Sequence, residues 1–283
     1  MADTINPDAA LVASWLPLRD PDTHKRRQGH VLVAAGSPGM HGAAVFAAAA
    51  AYRAGAGLVT AVIPREIYGL VGAAVPEALF VFRSEHDAEL SGVSGVHALL
   101  VGPGLPRTAH TRSLVRKVTA ARVPQVWDAG ALDAAAEAGG VLPEDTVVTP
   151  HMGEMARLCG ESERSLRQAR RESAQRFADK SGAVTVLKGR ATVIAVPRGK
   201  AAYVNVTGSP ALATAGTGDC LAGIIASLLA QGLTPERAAV CGVYWHGFAG
   251  QMMREGQTAS DLLALLPQAR EEILRQAGNG RMS

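Results

Sequence analysis

Strand-like apolar runs alternate with helix-like segments along most of this chain, and that alternation restricts the fold more than any other feature of the sequence. The strand-like runs occupy residues 30–36, 58–64, 78–82, 97–102, 124–130 and 146–150. Helix-like segments, rich in alanine or in charge, occupy residues 43–54, 108–121, 131–138, 153–159 and 163–180. Continuous apolar runs are typical of buried parallel strands, so the pattern predicts helices on both faces of a parallel sheet.

The pattern changes after residue 180. Three strand-like segments follow at residues 183–189, 191–197 and 201–206, joined by links of only a few residues. Such links suit antiparallel neighbours, because a parallel crossover needs a dozen or more residues. We therefore expect an α/β fold: a three-layer αβα sandwich with a mostly parallel central sheet and an antiparallel meander.

Three helices are predicted at the end of the chain, over residues 218–276, with breaks near 232–235 and 256–258. The sequence shows no internal repeat and no linker rich in proline or serine. We expect one domain over residues 1–283, with a tail that frays from about 277.

Composition excludes several classes of protein. With 48% hydrophobic and 19% charged residues, the chain can offset its ordering entropy, so it is not a disordered protein. A net charge of +3 is too small to predict binding to nucleic acid or a membrane surface. Residues 42–64 carry one charge, Arg53, but change from alanine-rich to β-branched, which favours a helix followed by a strand over a membrane span.

The cysteines and the start of the chain indicate a cytoplasmic protein. Cys159, Cys220 and Cys241 are three in number and lack CxxC spacing, so neither a disulfide framework nor a zinc cluster is expected. The first residues include acidic side chains and no basic region of the kind that begins a secretory signal.

The run Ala215, Gly216, Thr217, Gly218 and Asp219 leads directly into a segment that we expect to form an amphipathic helix. Backbone N–H groups of the first four residues can form an anion hole at the start of a helix. A carboxylate there would repel a phosphate but could take a proton from a hydroxyl beside it, so Asp219 is a candidate base. The alternative is that Asp219 only caps the helix. We also expect its position among N–H groups to favour the ionised form.

His151 and Glu154 follow a predicted strand, at the sheet edge where open α/β proteins bind ligands. Residues at this spacing share one face of a helical turn. His151 could donate a hydrogen bond to a substrate, and Glu154 could hold Mg²⁺ through water. The alternative is that His151 caps the helix and Glu154 favours its dipole.

Two further segments are candidates for ligand contact. Lys188 and Arg190 lie in a turn between strands, where they could bind nucleotide phosphates or be a solvated hairpin tip. Gly104 follows a strand and would allow close approach of a ligand, although a plain turn is the alternative. His246 is expected to be a core histidine, and Asp128 either faces the ligand edge or caps a turn.

Six segments together resemble the ADP- or ATP-dependent (S)-NAD(P)H-hydrate dehydratases of the ribokinase-like superfamily: GSPGMHGAA, VGPGLP, VWDAGALD, TPHMGEMARL, VLKGRATVIA and TGSPALATAGTGDCLAGIIASLLAQG. The resemblance covers residues 20–270. It departs from the family pattern at Met152, where the family has proline, and at Arg26, where glycine is usual.

The resemblance implies roles for individual residues. Asp219 would be the catalytic acid or base and a substrate contact. The other predicted substrate contacts are Ala43, Gly104 and His151. The predicted nucleotide site consists of Lys188, Gly189, Arg190, Ala191, Thr192 and Gly218.

The resemblance also implies partners. These are hydrated NADH or NADPH as substrate, ADP or ATP as co-substrate, Mg²⁺, a homo-oligomer (a tetramer), and a separate NAD(P)H-hydrate epimerase, because a chain of 283 residues is too short to include that domain. Two alternatives stay open. A kinase of a vitamin precursor or sugar alcohol would share Asp219 and the anion hole, but such kinases usually have asparagine where His151 stands. A non-catalytic nucleotide sensor would have no need of Asp219.

Overall fold

A computed structural model describes residues 4–83, 94–137, 142–199 and 201–279 of the chain. It contains one ten-stranded sheet. The strands are β1 (Thr4–Ile5), β2 (His30–Ala34), β3 (Leu58–Pro64), β4 (Leu79–Arg83), β5 (Ala98–Val101), β6 (Gln125–Trp127), β7 (Thr146–Val148), β8 (Val184–Leu187), β9 (Thr192–Ala195) and β10 (Ala202–Asn205).

The sheet has the order β1-β10-β9-β8-β7-β6-β5-β2-β3-β4. Among the described residues every neighbouring pair is parallel except β8 with β9 and β9 with β10. The parallel sheet and the antiparallel meander are thus confirmed. Because parallel strands end at the same edge, the loops after β2, β5, β6, β7 and β8 come together there, and this edge contains the candidate site.

Helices cover both faces of the sheet, which confirms the three layers. The α-helices are α1 (Ala9–Trp15), α2 (His41–Arg53), α3 (Tyr68–Ala74), α4 (Ala109–Thr119), α5 (Gly130–Glu137), α6 (Met152–Cys159), α7 (Glu163–Gln168), α8 (Arg170–Ser181), α9 (Thr217–Ala230), α10 (Pro235–Met252) and α11 (Ala259–Asn279). The first three and the last three pack on one face, and the other five on the opposite face. Along β2, Val31 and Val33 face the first layer, whereas Leu32 and Ala34 face the second.

Helices α2 and α9 pack closely because small residues line their interface. A β-carbon placed at Gly223 would lie 2.3 Å from the carbonyl oxygen of Ala47 and 3.0 Å from the β-carbon of Ala50. Any larger side chain at Gly223 would therefore push the helices apart. The two helices begin at the same edge of the sheet, so their packing fixes the distance between the loops that precede them.

Several elements differ from expectation. The charged segment predicted as one helix is two, α7 and α8, separated by Ala169, whose φ of −133° is not helical. Helices α1 and α3 were not predicted. An Asp8 side chain that accepts a hydrogen bond from the Leu11 N–H begins α1, and buried Val12 anchors it on the core.

Two further expectations concern the apolar stretch of residues 42–64 and the C-terminal tail. Residues 42–64 divide between α2 and β3, as predicted, and no helix in the described part of the chain is both long and apolar enough to span a membrane. Helix α11 continues to Asn279, beyond residue 277 where fraying was expected, and the rest of the predicted tail lies outside the described residues.

Candidate active site

Asp219 lies in the first turn of α9 and does not cap it. The capping residue is Gly216, whose φ of 92° lies in the left-handed region that favours glycine. A β-carbon at Gly216 would also lie 2.5 Å from the ring of Phe46, so the loop passes very close to α2. The capping interpretation of Asp219 is therefore wrong, and its carboxylate is available for chemistry at the ligand edge.

The environment of Asp219 raises the pKa of its carboxyl group to about 7. Burial is the largest cause, and the negative charges of Asp128 and Glu154 add to it, while Lys188 opposes them. The expectation that the ionised form is favoured is wrong, because desolvation and two neighbouring carboxylates outweigh the helix N-terminus. A carboxylate that titrates near neutral pH is well matched to accept and return a proton.

Lys188 faces inward from the end of β8. Its Nζ lies 2.8 Å from Oδ1 of Asp128 and 4.0 Å from Oε2 of Glu154, and 20% of its side chain is exposed. Burial alone would lower the pKa of Lys188, but the two carboxylates outweigh it and raise that pKa, so the side chain remains an ammonium. The hairpin-tip interpretation is wrong for Lys188 but fits Arg190, which is exposed.

Lys188 also lies beside the start of α9. A β-carbon placed at Gly218 would be 3.5 Å from Nζ of Lys188. The structure thus brings together two residues from separate motifs of the predicted nucleotide site. Their proximity places a positive charge next to the N–H groups of the predicted anion hole, where a phosphate would be stabilised.

Asp128 is a site residue to which the sequence assigned no definite role. It follows β6 and is only 2% exposed. Its Oδ1 accepts hydrogen bonds from Oγ1 of Thr149 at 2.7 Å and from Nζ of Lys188 at 2.8 Å. The ligand-edge interpretation of Asp128 is correct. The one available signal was its position at the end of a strand, and Thr149, which shares that signal after β7, was missed.

His151 caps α6, and Glu154 completes a capping box. Nδ1 of His151 accepts a hydrogen bond from the Gly153 N–H at 3.0 Å, while Oε2 of Glu154 accepts from the His151 N–H at 2.7 Å. The capping interpretation of His151 is confirmed. Because Nδ1 is an acceptor, the neutral ring has its proton on Nε2, which lies 3.4 Å from Oε1 of Glu154. With 56% of the side chain exposed, donation from Nε2 to a substrate stays a prediction.

Glu154 is buried beside Lys188. Burial raises the pKa of its carboxyl group, Lys188 lowers it, and Asp128 raises it again. Three carboxylates, those of Asp128, Glu154 and Asp219, thus interact with one ammonium. Their excess negative charge suits a divalent cation. In the described part of the chain no three His, Cys, Asp or Glu side chains are close enough to ligate a metal directly, and the role of Glu154 toward Mg²⁺ stays a prediction.

Ala43 and Gly104, both predicted substrate contacts, lie side by side. Gly104 has a φ of 64°, and a β-carbon there would be 2.8 Å from the β-carbon of Ala43. The adjacent Ser37 hydroxyl donates to the Gly104 carbonyl at 2.9 Å, which ties the two loops together. The plain-turn interpretation of Gly104 is incomplete, because only glycine fits this contact.

The predicted anion hole can contribute only backbone donors. The Thr217 hydroxyl is already engaged with the carbonyls of Leu212 at 2.8 Å and Thr214 at 2.9 Å, whereas Ala215 is exposed. Nε2 of His246 lies 2.9 Å from the Thr217 carbonyl oxygen, and burial lowers the pKa of His246 to about 4. His246 is therefore the neutral core histidine that the sequence predicted.

The remaining nucleotide-site residues form the turn between β8 and β9. Gly189 and Ala191 have positive φ values of 144° and 55°, and Oγ1 of Thr192 donates to the Gly189 carbonyl at 2.9 Å. The turn begins beside Lys188 and thus beside α9. The predicted nucleotide contacts are therefore contiguous, while their binding role stays a prediction.

A mostly parallel α/β sandwich with a glycine-capped helix and an acidic cluster at its carboxyl edge defines the chain as a ribokinase-like protein. The profile of one family, described as NAD(P)H-hydrate dehydratase, matches residues 31–272. The chain belongs to this NAD(P)H-hydrate dehydratase family.

Individual relatives agree with the family match. A bifunctional NAD(P)H-hydrate repair enzyme of Moorella thermoacetica is 42% identical over 96% of this chain, which spans 56% of that enzyme. The ADP-dependent (S)-NAD(P)H-hydrate dehydratase of Bacillus subtilis is 36% identical over 89% of this chain and 91% of the relative. A crystal structure of the Bacillus subtilis ADP/ATP-dependent enzyme, co-crystallized with ATP and Mg²⁺, has a TM-score of 0.86 at 34% identity and covers 94% of this chain and 97% of that one.

Proposed function

We propose that this chain is an ADP- or ATP-dependent dehydratase, a carbon–oxygen lyase, that returns the S-form of hydrated NADH or NADPH to NADH or NADPH. The observation that supports it most directly is Asp219, a carboxylate with a pKa of about 7 in the first turn of α9. Relatives named for this activity cover most of the chain. The chain spans only about half of the bifunctional relatives, so the proposal concerns the dehydratase activity alone.

The first step transfers a phosphoryl group to the hydroxyl at C6 of the hydrated nicotinamide ring. The hydroxyl oxygen attacks the terminal phosphorus, its proton passes to Asp219, and the bond from that phosphorus to the rest of the nucleotide breaks. A base with a pKa near 7 suits this transfer, because about half of it is ionised at neutral pH and it holds the accepted proton firmly enough to assist the attack.

Charge on the transferring group is stabilised by the loop and by Lys188. The N–H groups at residues 215–218 would face this anion with the support of the helix dipole, although the Thr217 N–H already donates to the Thr214 carbonyl at 3.4 Å. The Lys188 ammonium lies beside Gly218. Mg²⁺, when held by Glu154 through water, would neutralise charge on the phosphates. His151 would donate from Nε2 to the substrate, and Ala43 and Gly104 would form a second contact surface for it.

The second step eliminates phosphate. The C6–O bond breaks with its electron pair leaving on phosphate, a proton is lost from C5, and the reduced ring is regained. Phosphate is a far better leaving group than hydroxide, which explains why a nucleotide is consumed. We also propose a cytoplasmic homotetramer that acts together with a separate epimerase, since only the S-form is used.

Incubation of the protein with hydrated NADH and either ADP or ATP tests the proposal. The reduced-nicotinamide absorbance should return only when nucleotide and Mg²⁺ are present. Lack of recovery with both nucleotides would overturn the assignment. A stable phosphorylated product without return of the absorbance would instead identify a kinase of the same fold.

A further inference from the structure

Arg170 holds the turn between β8 and β9 from outside the candidate site. It is the first residue of α8. Its Nη1 donates to the Arg190 carbonyl at 2.6 Å, and its Nη2 lies 3.4 Å from the Leu187 carbonyl and 3.5 Å from that of Lys188. One planar guanidinium therefore binds the carbonyls on both sides of the turn.

This arginine occupies an unfavourable position for a cation. The N-terminus of a helix repels positive charge, and Arg167 on the preceding helix adds further repulsion. The Nε of Arg170 is buried without a hydrogen-bond partner in the described part of the chain. Hydrogen bonds to the turn are what compensate these costs, so the turn is the reason for an arginine here.

The direction of these carbonyls determines the direction of the N–H groups in the same peptide units. In a trans peptide the C=O and N–H groups point in opposite directions, and the described residues contain no cis bond. Because the Lys188 and Arg190 carbonyls face Arg170, the N–H groups of Gly189 and Ala191 point away from it. Ala191 reaches this orientation at a φ of 55°, which a residue with a β-carbon rarely adopts unsupported.

We propose that Arg170 is a positioning residue for the nucleotide: it orients the Gly189 and Ala191 N–H groups as donors to the anionic phosphate oxygens of ADP or ATP. The inference rests on the proposed function, in which this turn binds the nucleotide. In the described part of the chain the hydrogen bonds of Arg170 go to protein carbonyls, and it acts through the backbone that it holds.

Two substitutions test the proposal, Arg170→Met and Arg170→Lys. ADP affinity, measured by calorimetry, should fall about tenfold or more in Arg170→Met, because hydrogen bonds to a charged group are lost. Arg170→Lys should recover part of the affinity, since an ammonium can bind one carbonyl but cannot span the turn. The KM for hydrated NADH should stay within about twofold of wild type in both. Arg167→Met, which removes an exposed arginine paired with Glu163, is the matched control and should leave ADP affinity unchanged.

Thermal melting without ligand shows whether each variant is folded. If Arg170→Met is not folded, the ADP affinity of Arg170→Lys tests the inference. ADP affinity within about twofold of wild type in a folded variant would overturn the inference, as would an equal loss for ADP and hydrate. Calorimetry needs no turnover, so wild-type ADP binding that depends on Arg170 supports the inference even if hydrate is not converted. Absence of binding of both ADP and ATP by wild type would overturn both proposals.

Discussion

The ammonium of Lys188 lies 2.8 Å from Oδ1 of Asp128, although the two residues are 60 positions apart in the sequence. They extend from β8 and β6, with β7 between them. Thr149, which follows β7, donates its hydroxyl to the same Asp128 oxygen. Three strand ends thus hold one buried ion pair, and both of its charges act on Asp219.

Replacement of Asp219 by asparagine should abolish most turnover and leave the fold intact. Asparagine keeps the shape but cannot accept the proton, so turnover should fall about 10²–10⁴-fold. Gly216 caps α9, so no cap is lost. ADP should bind at least as tightly once a repelling charge is gone. Turnover of hydrated NADH and a thermal melt check this, with Asp22→Asn on the surface as control. Near-wild-type turnover in a folded Asp219→Asn variant would remove the centre of the mechanism.

The pH dependence of kcat/KM should show a rise with an inflection near pH 7. Asp219 must be ionised to accept the hydroxyl proton, and its pKa is about 7, so activity declines below that value. Removal of one repelling carboxylate by Asp128→Asn should shift the inflection to lower pH. An inflection near the ordinary aspartate value, or none between pH 5 and about 9, would be inconsistent with Asp219 as the base.

The same pKa shift predicts how stability depends on pH. Between about pH 4 and pH 7 the folded protein retains a proton on Asp219 that the unfolded chain has lost, so this group makes stability fall as pH rises. Asp219→Asn removes that dependence. Its melting temperature should therefore exceed that of wild type at pH 8 and approach it at pH 4. Equal melting temperatures at pH 8 would contradict the raised pKa.

Lys188→Met should weaken both nucleotide binding and the fold. The variant loses the ammonium beside the anion hole, so ADP should raise its melting temperature less than that of wild type. It also leaves Asp128 buried without its ion-pair partner, which costs roughly 3 kcal/mol or less, given the partial exposure of Lys188. The double variant with Asp128→Asn should recover part of that stability but not the ADP shift. Lys180→Met, at an exposed position, is the control.

Two substitutions at His151 separate its capping role from its predicted role as a donor. Alanine removes the cap and should cost about 1 kcal/mol, whereas asparagine caps well and should retain stability. Both lack the Nε2 donor, so both should raise the KM for hydrated NADH while ADP affinity changes less than about twofold. Wild-type use of hydrate by His151→Asn would show that the histidine is a cap only.

Features of the fold that depend on a single segment could be predicted from the local sequence pattern. The β-branched run Leu58–Pro64 forms a strand with the predicted bounds, and the glycine-threonine run begins α9 as expected. The pKa of Asp219 could not be predicted from its own segment, because one of its causes is Asp128, which lies 91 positions earlier in the sequence. Only the folded sheet brings Asp128 close to Asp219. The break at Ala169 gave no signal either, since alanine favours helix continuation.

The close packing of Gly223 against Ala47 restricts the substitutions that this interface can accept during evolution. Helix α2 follows the loop that leads to Ala43, and α9 begins at the loop that leads to Asp219. A methyl group added at Gly223, one helical turn beyond Asp219, would push the two helices apart and so widen the proposed site. Substitution at this buried interface is therefore constrained by the relative position of the two loops as well as by stability.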